Sequence, residues 1–253
     1  MFAKERQERI ARMIEKNGAV TTGKLVEEFG VSVETIRRDL LEMERAHLLH
    51  RVHGGAIAMG AMKKMDTLSK RNQEFGEEKR QLAQKAMDFV CEGDIISVDV
   101  GSTAIAFAEA LKARFSRLTV ITHSLDVFEL LHEHQEMSVI LCGGHYMKGE
   151  NAFYGALTLE MMSKLHVQKA FIFPSAVSMK YGIADYSQEF YLLQKKMMES
   201  AERIYVLADS SKFEKRALLK VEDMKPDFCY VTDSMLSDEL KQLYQENNLQ
   251  VIC

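Results

Sequence analysis

From residue 79 onward, short apolar runs alternate with helical segments, and this alternation constrains the fold more than any other feature of the chain. Strand–helix alternation of this kind predicts an α/β domain with a mostly parallel sheet covered by helices on both faces. The predicted strands are Asp94–Val100, Leu118–Thr122, Met137–Cys142, Lys169–Phe173, Ile204–Ala208, Phe228–Thr232 and Gln250–Ile252. The predicted helices are Lys79–Cys91, Gly101 to about Ala113, Ser124 to about His134, Leu157–Leu165, Gln188–Ala201 and Asp238–Gln245.

The first 57 residues have a different pattern, which predicts three short helices followed by a hairpin. The first helix covers Lys4–Lys16, and Thr21 or Thr22 caps a second helix that Gly30 closes. Ser32 caps the third, whose buried stripe is Ile36, Leu40 and Met43. Two helices joined by a tight turn form a helix-turn-helix, and a following hairpin with Gly54-Gly55 as its turn is a wing. An N-terminal winged helix-turn-helix is therefore expected.

The third helix is cationic on its free face, as a helix that enters the major groove of DNA must be. Arginine can bind guanine O6 and N7 in a bidentate way. We expect Glu34, Thr35 and Arg38 to lie nearest the bases, with Ser32, Arg37 and Arg45 nearer the phosphates. Arg51 and His53 lie on the polar edge of the predicted wing. Double-stranded operator DNA is the expected partner.

The charge distribution fits a DNA-binding N-terminal part. The chain has a net charge of −4, but residues 1–64 hold 12 Lys/Arg against 9 Asp/Glu. The acidic remainder would resist non-specific adhesion. Four scattered cysteines argue against a disulfide framework or a metal site, and no apolar run approaches the roughly 18 residues of a membrane span. No signal-peptide core precedes the first helix, so a cytoplasmic protein is expected.

These patterns predict two domains joined by a connector. The DNA-binding domain covers residues 1–57, with the helix-turn-helix at about 20–46 and the wing at 48–57. A linker follows at 58–76 and becomes helical around Leu68–Phe75. The larger domain covers residues 77–253.

Small, hydroxylated or charged residues follow several of the predicted strands. Ligands of open α/β sheets bind beyond the carboxyl ends of the strands, so these loops predict a binding site. A glycine and hydroxyls at a helix N-terminus suit a phosphate, a lysine supplies counter-charge, and an aspartate can bind sugar hydroxyls. The expected effector-binding residues are Asp99, Gly101, Ser102, Thr103, Thr122, Ser124, Gly143, Gly144, Asp209 and Lys212.

Two sets of motifs resemble one known family. Val31-Ser32-Val-Glu34-Thr35-Ile-Arg37-Arg38-Asp-Leu40 with Arg51-Val-His53-Gly-Gly-Ala56 resembles the signature of the DeoR family of sugar-operon repressors. Asp99-Val-Gly101-Ser102-Thr103, Thr122-His-Ser124, Cys142-Gly143-Gly144 and Asp209-Ser-Ser-Lys212-Phe213 resemble its effector domain, which is similar in fold to ribose-5-phosphate isomerase and the CoA-transferases. The resemblance implies DNA contacts by Thr35, Arg37, Arg38 and the wing, a sugar-phosphate effector that releases DNA, and a homodimer or homotetramer.

The chain departs from the family pattern at two places. His123 stands where the family commonly has asparagine, and Phe173-Pro174-Ser175-Ala176 replaces a more glycine-rich stretch. The bulk of that stretch is expected to reshape the pocket. Glu189, on the helix after Tyr181-Gly182, is a further residue within possible reach of the ligand.

Two other functions fit parts of the pattern. A sugar-phosphate isomerase with a DNA-binding appendage would use Asp99 as the base and Lys212 to hold the phosphate, but no further acid is clearly placed to complete the set. An architectural DNA-binding protein would bind without sequence preference. A regulator without catalytic residues, metal or cofactor is the favoured interpretation.

Overall fold

The structure is a computed structural model, and it describes residues 3–17, 19–46, 48–52, 55–58 and 68–253. The chain divides into two compact units, Met1–Asp66 and Thr67–Cys253. The division falls inside the predicted linker, of which residues 59–67 lie outside the described part. The predicted domain boundaries at 57 and 77 therefore stay predictions. No helix among the described residues is long and apolar enough to cross a membrane.

The N-terminal unit has the predicted helices and hairpin, together with one strand that the sequence pattern did not predict. Its helices are α1 (Ala3–Asn17), α2 (Thr22–Phe29) and α3 (Val33–Arg45), and its strands are β1 (Ala19–Thr21), β2 (Leu49–Val52) and β3 (Gly55–Ala58). The strands form an antiparallel sheet in the order β1-β3-β2. The three helices pack around a small core that includes Ile10, Leu25, Ile36, Leu40 and Leu49. The unpredicted β1 extends the wing into a three-stranded sheet.

Side-chain caps and a left-handed glycine define the helix-turn-helix. Thr21 caps α2, since its hydroxyl accepts a hydrogen bond from Lys24 N at 3.2 Å. Gly30 ends that helix at φ 60°, a conformation that glycine adopts without steric cost. Ser32 then caps α3 by accepting from Thr35 N at 3.2 Å. The short connection at Gly30–Ser32 therefore fixes both helix ends.

Gly55 corrects one detail of the predicted wing. The sequence places it in the turn, but it is the first residue of β3, paired with Val52 and Thr21. A Cβ at Gly55 would lie 2.0 Å from the Val20 carbonyl oxygen. Glycine is thus needed for the close approach of β1 to β3. Gly54, the other predicted turn residue, lies outside the described residues, as does His53.

The C-terminal unit contains each of the predicted strands and helices, plus further short strands. Its helices are α4 (Leu68–Gln73), α5 (Gly76–Ala86), α6 (Ser102–Arg114), α7 (Leu125–Leu131), α8 (Ala156–Ser163), α9 (Gln188–Glu199) and α10 (Asp238–Glu246). Its strands are β4 (Ile95–Val98), β5 (Thr119–Thr122), β6 (Ser138–Leu141), β7 (His145–Met147), β8 (Ala152–Tyr154), β9 (Val167–Ile172), β10 (Ala176–Ser178), β11 (Gly182–Asp185), β12 (Ala201–Leu207), β13 (Leu219–Glu222), β14 (Cys229–Val231) and β15 (Gln250–Ile252).

The predicted parallel sheet is confirmed. Seven strands run in the order β15-β14-β12-β9-β4-β5-β6, and every neighbouring pair is parallel. Neighbouring residues of a strand face opposite cores: Phe171 packs with Leu82 and Phe107, whereas Ile172 packs with Leu193 and Tyr244. Helices α5 to α7 thus cover one face, and α8 to α10 cover the other.

Two small antiparallel sheets were not predicted from the sequence. One is the hairpin β7-β8, which lies between β6 and α8 along the chain. The other has the order β10-β11-β13 and joins the segment after β9 to the segment after β12. Both sheets are built from connections that leave the carboxyl ends of the main strands. They therefore supply walls around the edge where a ligand of this fold binds.

Candidate functional site

The free face of α3 carries the predicted DNA-contacting side chains. Glu34, Arg37, Arg38 and Arg45 are exposed, and Ser32 begins the helix as its cap. Arg37 Nη1 lies 3.4 Å from Glu34 Oε2 in an ion pair open to solvent. Thr35 is half-buried, and its hydroxyl lies 2.9 Å from that of Ser32. These side chains share one helix surface, but whether they contact DNA stays a prediction.

The orientation of α3 is fixed from behind by a buried ion pair that the sequence analysis missed. Arg6 of α1 donates two hydrogen bonds to Asp39 of α3, Nε to Oδ2 at 2.5 Å and Nη2 to Oδ1 at 3.0 Å. The two side chains are only 7% and 4% exposed. A bidentate pair of this kind fixes direction as well as distance. It holds the core side of α3 to α1.

The wing carries one of its two predicted contacts within the described residues. Arg51 is exposed on β2, and its backbone N donates to Glu44 Oε1 of α3 at 2.8 Å. This bond joins the hairpin to α3. His53 lies outside the described residues.

In the C-terminal unit, the predicted effector residues lie at the carboxyl ends of β4, β5, β6 and β12, and the strand order reverses beside β4. After β4 the chain crosses to β5 on one side, and after β9 it crosses to β12 on the other, although β4 and β9 are neighbours. Such a switch point leaves a crevice at the carboxyl ends of the two strands. Asp99 follows β4 directly and is completely buried there.

Asp99 is the centre of a buried hydrogen-bond network. Its Oδ2 accepts from Phe173 N at 3.1 Å and from Gln194 Nε2 at 2.9 Å, while its Oδ1 lies 3.2 Å from His123 Nε2. Gln194 Nε2 also donates to Asp185 Oδ2 at 3.2 Å. Burial is the main cause that raises the pKa of Asp185, and the charge of Asp99 adds to it. The network joins the ends of β4, β5, β9 and β11.

The N-terminus of α6 opens beside Asp99 without a side-chain cap. Gly101 precedes the helix at φ 118° and, having no side chain, leaves the first turn without a cap from the N-cap residue. The hydroxyl of Thr103 is buried, and among the described residues it has no hydrogen-bond partner. Free backbone N–H groups, a helix dipole and an unpaired hydroxyl together form a surface that suits an anion.

Arg71 stands at this helix end, and the charges of Lys79 and Lys212 interact with it and with each other. A Cβ built on Gly101 would lie 3.5 Å from Arg71 Nη1, so the guanidinium of α4 stands over the helix start. Lys79 of α5 donates through Nζ to the carbonyl oxygens of Arg71 and Glu74. Lys212 Nζ, from the loop after β12, lies 3.8 Å from Asp209 Oδ2. The cations come from three separate parts of the sequence.

Burial and mutual repulsion lower the pKa of the two lysines. Burial, with a smaller contribution from the charge of Lys212, lowers the pKa of Lys79 to about 8, while the charge of Asp209 opposes the shift. Burial likewise lowers the pKa of Lys212, against the attraction of Asp209, and Arg71 adds to the lowering. Two lysines that hold their charge at a cost are stabilised when an anion arrives.

Most of the other predicted residues at this edge make hydrogen bonds or close contacts within the protein. Thr122 Oγ1 accepts from Ser124 N at 3.0 Å, and Ser124 Oγ caps α7 by accepting from Val127 N at 3.3 Å. A Cβ at Gly144 would lie 2.2 Å from Thr158 Oγ1, whose hydroxyl donates to the Gly143 carbonyl at 3.0 Å. These described contacts fix loops and do not themselves identify a ligand. The remaining effector candidate, Ser102, is buried in the first turn of α6.

Other positions noted in the sequence also have fold contacts. His123 Nδ1 lies 3.0 Å from the Phe153 carbonyl oxygen, so the ring joins Asp99 to the β7-β8 hairpin. The side chain of Phe173 is buried against Phe107 rather than open to the crevice. Glu189 Oε2 accepts from Ser187 Oγ at 2.8 Å at the start of α9.

Arg71, Lys79, Glu150, Asp185 and Gln194 were not predicted as site residues. Arg71 lies in the polar stretch before α5, and its Nη2 donates to Glu150 Oε2 of the turn between β7 and β8. No local pattern distinguishes these residues from surface charges. Their unusual feature is that polar side chains are wholly or partly buried, and this burial arises only when the chain is folded.

Comparison with known proteins identifies the family of both units. The model of the DeoR C terminal sensor domain matches residues 74–234, and that of the DeoR-like helix-turn-helix domain matches residues 6–60. The chain is similar to an L-fucose operon activator from Haemophilus influenzae, 31% identical over 98% of both chains. It is also similar to a lactose phosphotransferase system repressor from Streptococcus mutans, 34% identical over 96% of this chain and 97% of that one.

Among solved structures, ribose 5-phosphate isomerase A from Neisseria gonorrhoeae is 23% identical, with a TM-score of 0.41. The likeness covers 55% of this chain and about half, 53%, of that one. The matches to the two family models and to full-length relatives lead to one conclusion. The chain belongs to the DeoR family of transcriptional regulators.

Proposed function

We propose that the protein represses a carbohydrate-utilisation operon and leaves its operator when a phosphorylated sugar binds in the C-terminal unit. One observation carries the effector half of the proposal. Arg71 stands at the N-terminus of α6, where the buried Thr103 hydroxyl has no partner among the described residues, and the charges of Lys79 and Lys212 interact with that of Arg71. Relatives named as an L-fucose operon activator and a lactose phosphotransferase system repressor support the carbohydrate class.

The phosphate would accept hydrogen bonds from the first turn of α6 and from the three cations. This placement follows from charge: a phosphate monoester carries nearly two negative charges at neutral pH. The predicted residues Gly101, Ser102, Thr103, Asp209 and Lys212 belong to this arrangement. Arg71 and Lys79 extend it.

The contacts of Asp99 favour regulation over catalysis. An aldose–ketose isomerase needs a carboxylate base that reaches the substrate carbon. Asp99 is fully buried, and its two oxygens face Phe173 N, Gln194 Nε2 and His123 Nε2. We therefore assign Asp99 to organising the crevice.

On the DNA side, Thr35, Arg37, Arg38 and Arg51 would contact the operator, with Ser32 and Arg45 at phosphates and Glu34 near the bases. Half-sites a helical turn apart would be bound by two or more copies of the chain, because linked binding raises the affinity through effective concentration. Since the partner is operator DNA, we place this activity in the cytoplasm.

The test is a thermal-melt and operator-binding panel of sugar phosphates beside their unphosphorylated parents, repeated with Lys212→Ala. A ligand at about 100 times its Kd adds about 2.7 kcal/mol of stability. One phosphorylated sugar should raise the melting temperature of the wild type, leave Lys212→Ala unchanged and weaken operator binding. Matched shifts with the unphosphorylated parent, or tighter operator binding, would contradict the proposal.

A further inference from the structure

The anion-binding arginine already holds an anion from the protein itself. Arg71 Nη2 donates to Glu150 Oε2, and the two side chains are 20% and 11% exposed. The same guanidinium stands over the start of α6, within 3.5 Å of a Cβ built on Gly101. A ligand phosphate at that helix end must therefore share Arg71 with Glu150 or take it.

The backbone around Glu150 is held from its far side. The carbonyl of Asn151 accepts from Leu125 N at 2.9 Å, and Asn151 Nδ2 donates to Asp126 Oδ1 at 2.7 Å. Phe153 N donates to the His123 carbonyl at 2.8 Å. Because these bonds dock the β7-β8 hairpin on the loop before α7, the Glu150 carboxylate would leave Arg71 through a change in its side chain rather than in the backbone.

Charges from every neighbouring element set the protonation of Glu150. Arg71 on α4 favours the carboxylate, whereas Asp185 on β11 and Asp126 on α7 disfavour it. Burial is the largest cause, and the pKa of Glu150 is raised on balance. Loss of the guanidinium contact would remove the attraction that opposes this rise, so the pKa of Glu150 would rise further and protonation would become more favourable.

We propose that Glu150 is an internal competitor for the effector: the ligand phosphate displaces the Glu150 carboxylate from Arg71, and Glu150 takes up a proton from solvent as the anion binds. This inference rests on the proposed function, since it concerns the same anion site. Glu150 thereby sets the affinity for the effector without contacting it in the bound state.

The exchange also provides a route for regulation along the chain. Arg71 lies on α4, the first described element after residues 59–67, and Lys79 Nζ holds the end of α4 through the carbonyls of Arg71 and Glu74. A ligand shifts an equilibrium only through contacts that differ between two states. The Arg71–Glu150 pair in one state and an Arg71–phosphate pair in the other are such contacts.

Sulfate is a suitable probe, because it is a tetrahedral dianion that does not titrate near neutral pH. The experiment measures sulfate binding to the full chain by calorimetry, in two buffers of different ionisation enthalpy at pH 7. Coupling between sites commonly amounts to about 5–150-fold, so Glu150→Gln should bind sulfate at least about 5-fold more tightly than the wild type. It should also take up fewer protons per sulfate, because the glutamine at position 150 cannot be protonated. The uptake by the two lysines remains.

Glu160→Gln is the matched control, because Glu160 is an exposed carboxylate of α8 paired with Lys164. It removes the same charge and should bind sulfate like the wild type. In the double variant Arg71→Ala with Glu150→Gln, the gain should disappear. Melting curves establish that each variant is folded.

The outcomes separate the two proposals. Sulfate binding that Lys212→Ala abolishes but Glu150→Gln leaves unchanged, in affinity and proton uptake, contradicts the displacement and leaves the anion site standing. Sulfate binding that Lys212→Ala does not affect contradicts the site itself. Absence of binding to both the wild type and Glu150→Gln overturns both.

Discussion

The two units use their cations in opposite ways. On α3 the arginines are exposed, and the ion pair between Arg37 and Glu34 is open to solvent. In the C-terminal unit, Lys79 and Lys212 are largely withdrawn from solvent, and burial lowers the pKa of both. The proposed DNA-contacting surface thus keeps its charge at little cost, whereas the proposed effector site holds charge that an entering anion would stabilise.

This difference matches the two kinds of recognition. A DNA backbone offers many phosphates, so solvated arginines release counterions and gain affinity in a salt-dependent way. A small ligand offers one phosphate, so its site needs few groups with fixed geometry and low dielectric. Burial is therefore the property that separates the two sites.

The largest expected effect is on the buried pair behind α3. Asp39→Ala leaves the Arg6 guanidinium buried without its carboxylate, and breaking such a pair costs about 3–5 kcal/mol. Hydrogen exchange of the α1 and α3 amides in the full chain should lose protection accordingly. The double variant Arg6→Met with Asp39→Leu should recover most of it, because an apolar replacement of both partners is often neutral. A loss below about 1 kcal/mol in Asp39→Ala would mean that the pair does not hold α3.

Next in size is the separation of the two sites by mutation. Arg38→Ala should weaken operator binding by about 1–3 kcal/mol if Arg38 contacts a base, and it should leave the effector-induced melting shift intact. Lys212→Ala should give the reverse, with unchanged operator affinity and no response to effector. Fluorescence anisotropy with a labelled operator measures the first property.

Arg114→Ala is the control for Arg38, because it removes one exposed arginine, paired with Asp88, from the other unit. A loss of operator affinity in Arg114→Ala equal to that in Arg38→Ala would indicate a general charge effect. A loss of both operator and effector binding in Lys212→Ala would end the distinction between the sites.

Features of the fold that depend on neighbouring residues could be predicted from the sequence, whereas features that depend on contacts between distant segments could not. The strands from Asp94 to Ile252 that form the parallel sheet and the caps at Ser32 and Ser124 follow from local pattern, and the structure contains them. β1 and the two small sheets were missed, since their strands are short and their pairing is set by distant segments.

The site divides along the same line. Gly101, Thr103 and Lys212 were predicted because strand ends are recognisable in the sequence. Arg71 and Glu150 were not, since their sequence separation is 79 residues and only the folded chain brings them together. The sequence pattern placed Gly55 in a turn, because its close contact with Val20 on β1 also depends on residues distant in sequence.

A smaller effect is expected from pH, and it should distinguish the two sites directly. Lys79 is cationic below its pKa of about 8 and neutral above it, so effector affinity should fall as pH rises from 8, by up to about tenfold, or about 1.4 kcal/mol, for each pH unit and titrating group. Arginine keeps its charge, so operator affinity without effector should stay flat from pH 7 to about 9.5. Calorimetry and anisotropy over one pH series measure both, and Lys79→Arg should make the fall shallower. Parallel curves for the two ligands would contradict the contrast.

The smallest effect concerns the pair at the surface of α3. Arg37 and Glu34 are 62% and 82% exposed, and exposed ion pairs contribute about 0–1 kcal/mol. A double-mutant cycle of Glu34→Gln and Arg37→Gln, measured by urea unfolding, should give a coupling energy in this range that decreases with salt. A coupling energy as large as that expected for Arg6 and Asp39 would show that the pair of Arg37 with Glu34 stabilises the fold. A small value means that Arg37 can leave Glu34 for a DNA phosphate at little cost, as a solvated contact surface requires.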